Sequence, residues 1–196
     1  MLTSIRERLE AMNKAIQVGA EEGRILQLLI ALHGAKKIVE IGTLAGYSTI
    51  WMARALPDDG HIYTINRDAS HFAMAQSFFA QSECAGKITQ LEGDAHDILP
   101  KLSPNAPYDL IFIDADKISY PDYLDWAEQN IRKGGLIIAD NSLLGGIAAM
   151  DAPPPKFAPT TWQNIRNFNN RLADRSKYNA IIIPTIQGLS VAIKVF

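Results

Sequence analysis

The chain has little of what marks secreted, membrane-spanning or nucleic-acid-binding proteins. It contains one cysteine, Cys84, so no disulfide can form within the chain, which fits a reducing compartment. No apolar run approaches the ~18 residues of a membrane span, and residues 1–20 are polar and amphipathic where a signal peptide would be apolar. The 19 basic residues do not exceed the 21 acidic ones, as they usually do in nucleic-acid binders. We therefore expect a cytoplasmic protein that binds neither membranes nor nucleic acid.

The length of 196 residues, 47% of them hydrophobic, suits one sizeable core and is too short for two ordinary domains. We predict a single domain over residues 1–196, with N-terminal helices in residues 1–34 and the core in residues 35–196. Apolar residues at three- and four-residue spacings predict two opening helices. These residues are Ile5, Leu9, Met12 and Ile16 in the first helix, and Ile25, Leu28, Leu29 and Leu32 in the second.

Short apolar strands alternate with helical segments through the rest of the chain. The predicted strands are Lys37–Ile41, His61–Ile65, Ile88–Leu91, Tyr108–Ile113, Leu136–Ala139, Asn179–Pro184 and Leu189–Val195. Such alternation predicts a mostly parallel sheet with helices on both faces. A short turn joins the last two strands, so they must be antiparallel. The predicted fold class is therefore α/β, a doubly wound sheet of seven strands with an antiparallel C-terminal strand.

Turn and capping residues predict where several helices begin and end. Pro121 suits the first turn of a helix that the segment Lys133-Gly134-Gly135 closes. Asp94 is expected to cap the helix that follows the third strand. Thr160 with Gln163 resembles a capping box, which predicts the start of the last helix.

Polar or glycine residues follow each of the first five predicted strands. Ligands of open parallel sheets bind beyond the carboxyl ends of the strands, so we expect a cleft at this edge. The residues at these ends are Glu40 to Ser48, Asn66, Asp94, Asp114 and Asp140-Asn141.

The glycines after the first strand suit a bound anion but do not require one. Gly42 and Gly46 allow close approach of the backbone, and the helix that follows offers free N–H groups. A tight turn that binds nothing explains the same two glycines. Their spacing lacks the third glycine of the dinucleotide fingerprint, which disfavours a nicotinamide-dependent oxidoreductase.

Oxygen-bearing side chains gather after the fourth and fifth strands. Asp114, Asp116, Asp140 and Asn141 offer carboxylate and amide oxygens, the ligands that Mg²⁺, Ca²⁺ and Mn²⁺ prefer. Acids that cap loops are the alternative interpretation, and Asp116 in particular suits a helix cap. No His/Cys cluster suggests zinc, because the four histidines are scattered. They are His33, His61, His71 and His96.

Three segments, in this order and spacing, resemble the metal-dependent class I S-adenosylmethionine (SAM) O-methyltransferases, and most of all the caffeoyl-CoA O-methyltransferase-like family and its bacterial members. Catechol O-methyltransferase is a more distant relative. The resemblance runs from about Gly23 to the C-terminus and implies a Rossmann-like fold. It also implies an enzyme that methylates a hydroxyl of a small catechol-like or phenylpropanoid-like molecule. The segments are Glu40–Ser48, Phe112–Lys117 and Ala139–Asn141, and further similar signatures are Arg166–Asn169 and Gln187–Ser190.

The resemblance also implies roles for individual residues. Asp114, Asp140 and Asn141 match metal ligands, with Mg²⁺ expected ahead of Ca²⁺ or Mn²⁺. Lys117 matches the lysine near the hydroxyl to be methylated, where it would accept the proton next to Asp114. A surface lysine paired with Asp114 or Asp116 is the alternative. The residues implied at SAM are Glu40, Gly42, Thr43, Gly46, Tyr47, Ser48, Asn66, Asp94, Ala95 and Asp114.

Two positions depart from the family pattern. Asn66 stands where the family has an acid that binds the ribose hydroxyls, and Gln187 replaces an aspartate. Asn66 motivates a second hypothesis, a protein that binds SAM or a metal without turnover. The loop from Gly145 to Pro159 is either a substrate wall or a dimer contact. The resemblance implies a homodimer.

Overall fold

The computed structural model describes residues 1–12 and 17–196, which form two compact units, Met1–Leu102 and Ser103–Phe196. The division into residues 1–34 and 35–196 within a single domain stays a prediction. The first unit contains α1 (Leu2–Ala11), α2 (Ala20–His33), β1 (Lys37–Ile41), α3 (Tyr47–Ala55), β2 (His61–Asn66), α4 (Ala69–Phe79), β3 (Ile88–Glu92) and α5 (Ala95–Leu102). The second contains β4 (Tyr108–Ile113), α6 (Tyr120–Asn130), β5 (Ile131–Ala139), α7 (Pro159–Leu172), β6 (Tyr178–Ile183) and β7 (Leu189–Lys194).

The sheet of the first unit is parallel, with strands in the order β3-β2-β1. Ile41 of β1 lies opposite Ile65 of β2, and Asn66 lies opposite Glu92 of β3. Because parallel strands all point the same way, this register brings the carboxyl ends of the three strands together at one edge.

Both opening helices are confirmed, but α2 does not pack on the expected face. Leu28 and Leu32 are 58% and 76% exposed, whereas Gly23, Leu26 and Ile30 are buried. Gly23 faces the ring of Trp51 in α3, so the smallest side chain lets the two helices approach closely. The predicted first helix included Ile16, which lies outside the described residues. Across the described ranges, no helix is both long and apolar enough to span a membrane.

The sheet of the second unit is mixed, with strands in the order β4-β5-β7-β6. β4 and β5 are parallel, and Ile113 lies opposite Ala139 at their carboxyl ends. β7 runs antiparallel to both β5 and β6, between which it lies. The predicted antiparallel strand near the C-terminus is therefore confirmed.

Two predicted helix boundaries are wrong. The segment Lys133-Gly134-Gly135 does not close α6, because β5 already begins at Ile131, and the pairing with β4 shifts register before Leu136. Gly134 has φ +75°, and this local irregularity lets the strand continue through the glycines. Thr160 does not cap α7, which starts one residue earlier at Pro159. The proline ring fixes φ near its helical value and so begins the helix without a side-chain cap.

We predict that Gly23→Ala destabilises the protein by about 1–3 kcal/mol, the usual cost of overpacking a core contact. A Cβ at this position overlaps Cδ1 and Nε1 of Trp51. Gly86→Ala is the matched control, since in the described residues no atom outside its own stretch of chain lies within 4 Å of the added Cβ. Urea denaturation followed by circular dichroism measures both variants. Equal unfolding free energies would show that α2 and α3 are not in close contact at Gly23.

Candidate active site

The loops after β1, β2 and β3 are joined by main-chain hydrogen bonds. Gly42 N and Thr43 N donate to Ile65 O at 3.2 and 3.1 Å. Gly93 N donates to Asn66 O at 3.0 Å. The first unit therefore brings together the predicted SAM-binding residues that follow these three strands.

Glu40 is fully buried, and its carboxylate accepts hydrogen bonds from three hydroxyls. Ser48 Oγ donates to Oε1, while Thr49 Oγ1 and Thr64 Oγ1 donate to Oε2, the last at 2.6 Å. Thr43 Oγ1 lies 2.6 Å from Thr64 Oγ1. A buried carboxylate needs such donors to offset its desolvation. Glu40 consequently ties the start of α3 to β1 and β2, while its predicted contact with SAM stays a prediction.

The turn into α3 requires glycine at Gly46. Its φ of +83° is left-handed, and a Cβ there would overlap the ring of Phe79. The next residue, Tyr47, is buried and packs edge-to-face on Trp51, with ring centroids 6.4 Å apart. The segment from Gly42 to Tyr47 is thus fixed by the packing of Gly46 near Phe79 and of Tyr47 on Trp51.

Asn66 holds this glycine loop through its side chain. Nδ2 donates to Leu44 O at 3.0 Å, and Oδ1 accepts from Asp68 N at 3.3 Å. A carboxylate in place of the amide has no proton to donate to Leu44 O. The departure from the family's acid therefore supplies a loop contact that the acid does not. Within residues 1–12 and 17–196 these two bonds use one N–H and one lone pair of the Asn66 amide.

Asp94 caps α5 as predicted. Its Oδ1 accepts from His96 N at 2.9 Å and lies 2.9 Å from His96 Nδ1, while Arg67 Nη1 is 3.4 Å from Oδ2. The main-chain N–H of His96 is the largest cause that lowers the pKa of Asp94, followed by the His96 side chain. Asp94 is therefore ionised near neutral pH, and Ala95 begins the helix beside it.

In the second unit, the register of β4 and β5 brings two predicted metal ligands side by side. Asp114 follows Ile113 and Asp140 follows its partner Ala139, and Asp140 N donates to Ile113 O at 3.0 Å. Asp140 is only 4% exposed. Asn141 has φ +58°, a conformation that asparagine adopts more readily than most residues.

Lys117 and Tyr120 complete this cluster. Lys117 Nζ donates to Asp114 Oδ1 at 3.1 Å and to Tyr120 Oη at 2.8 Å. Tyr120 is fully buried, and its hydroxyl lies 2.9 Å from Asp140 O and 3.1 Å from Ile113 O. Burial, reinforced by the charges of Asp114 and Asp140, raises the pKa of Tyr120 well above its usual value. The hydroxyl therefore stays protonated and can donate to a strand-end carbonyl.

Sequence reasoning missed Tyr120. Its only local signal is its position three residues after Lys117, which itself comes three residues after Asp114. The pairing of Lys117 with Asp114 agrees with the alternative interpretation of this lysine, although both side chains are largely buried.

Asp116 caps the turn before α6, and both of its carboxylate oxygens accept hydrogen bonds there. Its Oδ1 accepts from Ser119 N at 3.1 Å and Ser119 Oγ at 2.7 Å, and its Oδ2 accepts from Tyr123 Oη at 2.8 Å. Asp116 therefore caps the loop before α6 and not the helix itself, whose N-cap residue is Ser119. In the part of the chain that the structure describes, no three His, Cys, Asp or Glu residues form a metal cluster. The predicted metal ligands are not such a group, because they comprise two aspartates and one asparagine, Asn141.

Gln187 contacts the loop after β5 through its main-chain carbonyl. Its carbonyl accepts from Leu143 N at 2.8 Å, and Gly188 O accepts from Ser142 N at 2.9 Å. Any residue at position 187 provides the first of these contacts, so replacement of the family's aspartate leaves it intact. Gly188 has φ +80°, and a Cβ there would overlap Leu143.

Known proteins resemble the chain over nearly its whole length. Residues 1–195 match the family model described as O-methyltransferase. A catechol O-methyltransferase of Niastella koreensis is 40% identical over 200 residues, which cover 98% of this chain and 89% of the relative. The O-methyltransferase TomG of Streptomyces achromogenes, solved with SAM, has a TM-score of 0.90 at 36% identity over 100% of this chain and 89% of its own. An O-methyltransferase of Bacillus cereus, solved with S-adenosylhomocysteine (SAH), has a TM-score of 0.89 at 33% identity over 98% and 90%.

These likenesses define the class as the Rossmann-like SAM methyltransferases, which confirms the predicted fold class. The chain belongs to the O-methyltransferase family, of the catechol and caffeoyl-CoA type. It is an enzyme of that family, as the resemblance of its motifs implied. This assignment leaves no support for the nicotinamide-dependent alternative.

We predict that Tyr120→Phe lowers the free energy of unfolding by about 1–3 kcal/mol, because it removes the hydrogen bonds of the buried hydroxyl with Asp140 O and Lys117 Nζ. Tyr47→Phe is the matched control. Tyr47 is also buried, but within residues 1–12 and 17–196 its hydroxyl makes no hydrogen bond. Chemical denaturation of the two variants gives the comparison. Equal losses would argue against a bond from Tyr120 to the ends of β4 and β5.

Proposed function

We propose that the enzyme transfers the methyl group of SAM to a hydroxyl of a small catechol-like or phenylpropanoid-like diol, with a divalent cation in the second unit. The observation that carries this proposal is the pairing of Asp114 and Asp140 at adjacent strand ends, with Lys117 Nζ 3.1 Å from Asp114. The Niastella koreensis relative is named a catechol O-methyltransferase, which supports a diol as the substrate.

The residues of the second unit fit a hard cation. Asp114, Asp140 and Asn141 offer oxygen donors, the ligands of Mg²⁺, with Ca²⁺ and Mn²⁺ suited to the same set. The two acids follow paired residues of β4 and β5, Asp140 is 4% exposed, and Lys117 pairs with Asp114, so positive charge is already favoured at these strand ends. When bound there, the cation supplies a Lewis acid that lowers the pKa of a substrate hydroxyl and orients it.

Lys117 is the group that we propose takes the proton from the substrate hydroxyl. Its Nζ is held between Asp114 and Tyr120, and Tyr120 keeps its own proton because its pKa is raised. In this step the proton passes from the hydroxyl oxygen to Lys117 Nζ, which must first have released its own proton, and the electron pair stays on the hydroxyl oxygen. The two hydrogen bonds fix where Nζ lies, so little ordering is needed at the moment of transfer.

The residues proposed to bind SAM lie mainly in the first unit. SAM, when bound, supplies an electrophilic methyl group. We propose that the other N–H and lone pair of the Asn66 amide bind the ribose hydroxyls. Glu40 is enclosed by three hydroxyls, so we propose that it shapes the binding loop. The remaining residues proposed here are Gly42, Thr43, Gly46, Tyr47, Ser48, Asp94, Ala95 and Asp114.

The expectations of a homodimer and of a cytoplasmic location rest on the resemblance and composition, and we retain both as proposals. Light scattering of the purified protein measures its oligomeric state.

The central experiment combines purified protein with SAM, Mg²⁺ and catechol, and mass spectrometry detects the product. We expect a monomethylated catechol and SAH, with product formation lost on chelation by EDTA and restored by added Mg²⁺. Binding of SAH by calorimetry without product from catechol, caffeate or other diols would favour the alternative, a protein that binds SAM without turnover. Product formation unaffected by EDTA would remove the cation from the proposal.

Asp140→Ala tests the metal ligands. We expect Mg²⁺-dependent activity to fall at least ~100-fold. Loss of a residue that only supports a metal ligand typically costs ~10–100-fold, and loss of a ligand itself should cost no less. Asp125→Ala, which removes an exposed acid of the same unit and its surface ion pair with Arg171, is the matched control and should remain active. Circular dichroism checks that both variants are folded. Normal activity of Asp140→Ala without added metal would refute the ligand assignment.

A further inference from the structure

One face of α7 holds the main chain of the loop that follows β5. Trp162 Nε1 donates to Ile147 O at 3.2 Å. Arg166 Nη1 donates to Ala148 O at 3.0 Å and to Met150 O at 2.9 Å. These two side chains are four residues apart and so lie on the same side of the helix. They anchor the middle of the loop between β5 and α7.

Asn169 continues this face three residues further along and holds the part of the loop nearest to β5. Its Nδ2 donates to Ser142 O at 2.8 Å. Ser142 is fully buried and directly follows Asn141, whose left-handed backbone needs support from its surroundings.

The other polar atoms of Ser142 are bonded to the sheet side. Its N donates to Gly188 O at 2.9 Å, its Oγ donates to Ala139 O at 3.0 Å, and the same oxygen accepts from Ser190 N at 3.3 Å. Asn169 binds the remaining group, the carbonyl, from the helix side. The peptide after Asn141 is therefore held from two directions.

The Asn169 amide is only half satisfied. Its Oδ1 is buried and has no hydrogen-bond partner in the described part of the protein. An unpaired buried acceptor costs free energy, which an apolar side chain of similar size would avoid. The NH₂ group of Asn169, which binds Ser142 O, is therefore the reason for an amide at this position. Packing alone would favour an apolar side chain.

We propose that Asn169 is a positioning residue for Asn141: by holding Ser142 O, it fixes the backbone from which the amide oxygen of Asn141 reaches the cation. This inference rests on the proposed function, because it requires Asn141 to be a ligand. Asn169 itself touches neither the cation nor the substrate in this scheme. Its removal should therefore weaken metal binding and leave SAM binding unchanged.

The test compares Asn169→Leu, which removes the donor at similar volume, with Asn169→Gln, which keeps the amide, and with Asn170→Leu, an exposed neighbour. Calorimetry with Mn²⁺ alone measures metal affinity directly, and the Mg²⁺ dependence of activity measures it again. We expect Asn169→Leu to bind Mn²⁺ ~10–100-fold more weakly. Asn169→Gln should recover part of the loss, and Asn170→Leu should match the wild type. Asn169→Ala replaces Asn169→Leu if the latter does not fold.

The melting temperature separates positioning from general stability. We expect Asn169→Leu to shift it by no more than about 2–4 °C, and the KM for SAM to stay constant. Unchanged Mn²⁺ affinity in Asn169→Leu, with wild-type protein binding Mn²⁺ well, overturns this inference alone. Parallel losses in melting temperature, SAM binding and Mn²⁺ binding also overturn it. If wild-type protein does not bind Mn²⁺, the metal site of the proposed function fails, and this inference fails with it.

Discussion

The second unit depends on the pairing of β4 with β5. Asp114 and Asp140 follow paired residues, so the backbone register places these two acids at adjacent strand ends. Acids in a partly buried setting are stabilised by positive charge and hydrogen-bond donors close by. Lys117 provides a charge to Asp114, and Tyr120 links Lys117 to the carbonyl of Asp140. These contacts join the ends of β4 and β5 into the cluster at which we propose that a cation binds.

The first unit also contains a buried acid, Glu40, but stabilises it with neutral hydrogen-bond donors. Glu40 is more deeply buried than Asp140, yet its carboxylate is satisfied by the hydroxyls of Ser48, Thr49 and Thr64. Neutral hydroxyl donors complete its hydrogen bonding. The contrast explains why one acid supports a loop whereas the acids of the other unit are proposed to bind a ligand. Burial of an acid is therefore a poor guide to its role unless its donors are identified.

The two departures from the family pattern acquire a structural meaning in the same way. Asn66 donates to Leu44 O, a bond that a carboxylate there has no proton to make. Gln187 serves through its carbonyl, which accepts from Leu143 N whatever the side chain is. The residue type at position 66 by itself motivated the hypothesis of binding without turnover, whereas the contacts show local support for the loops on which the predicted site residues lie.

The sequence by itself determined the strands, the polar residues at their ends and the family, because apolar periodicity and short motifs are written in neighbouring residues. It also offered loop capping as an interpretation of the acids, which Asp116 fulfils through its bonds to Ser119. Tertiary structure decided which face of α2 is buried and how Tyr120 bridges two strand ends. It also decided that Asn169 binds a carbonyl 27 residues away. Such contacts arise from the packing of whole elements, and no local spacing encodes them.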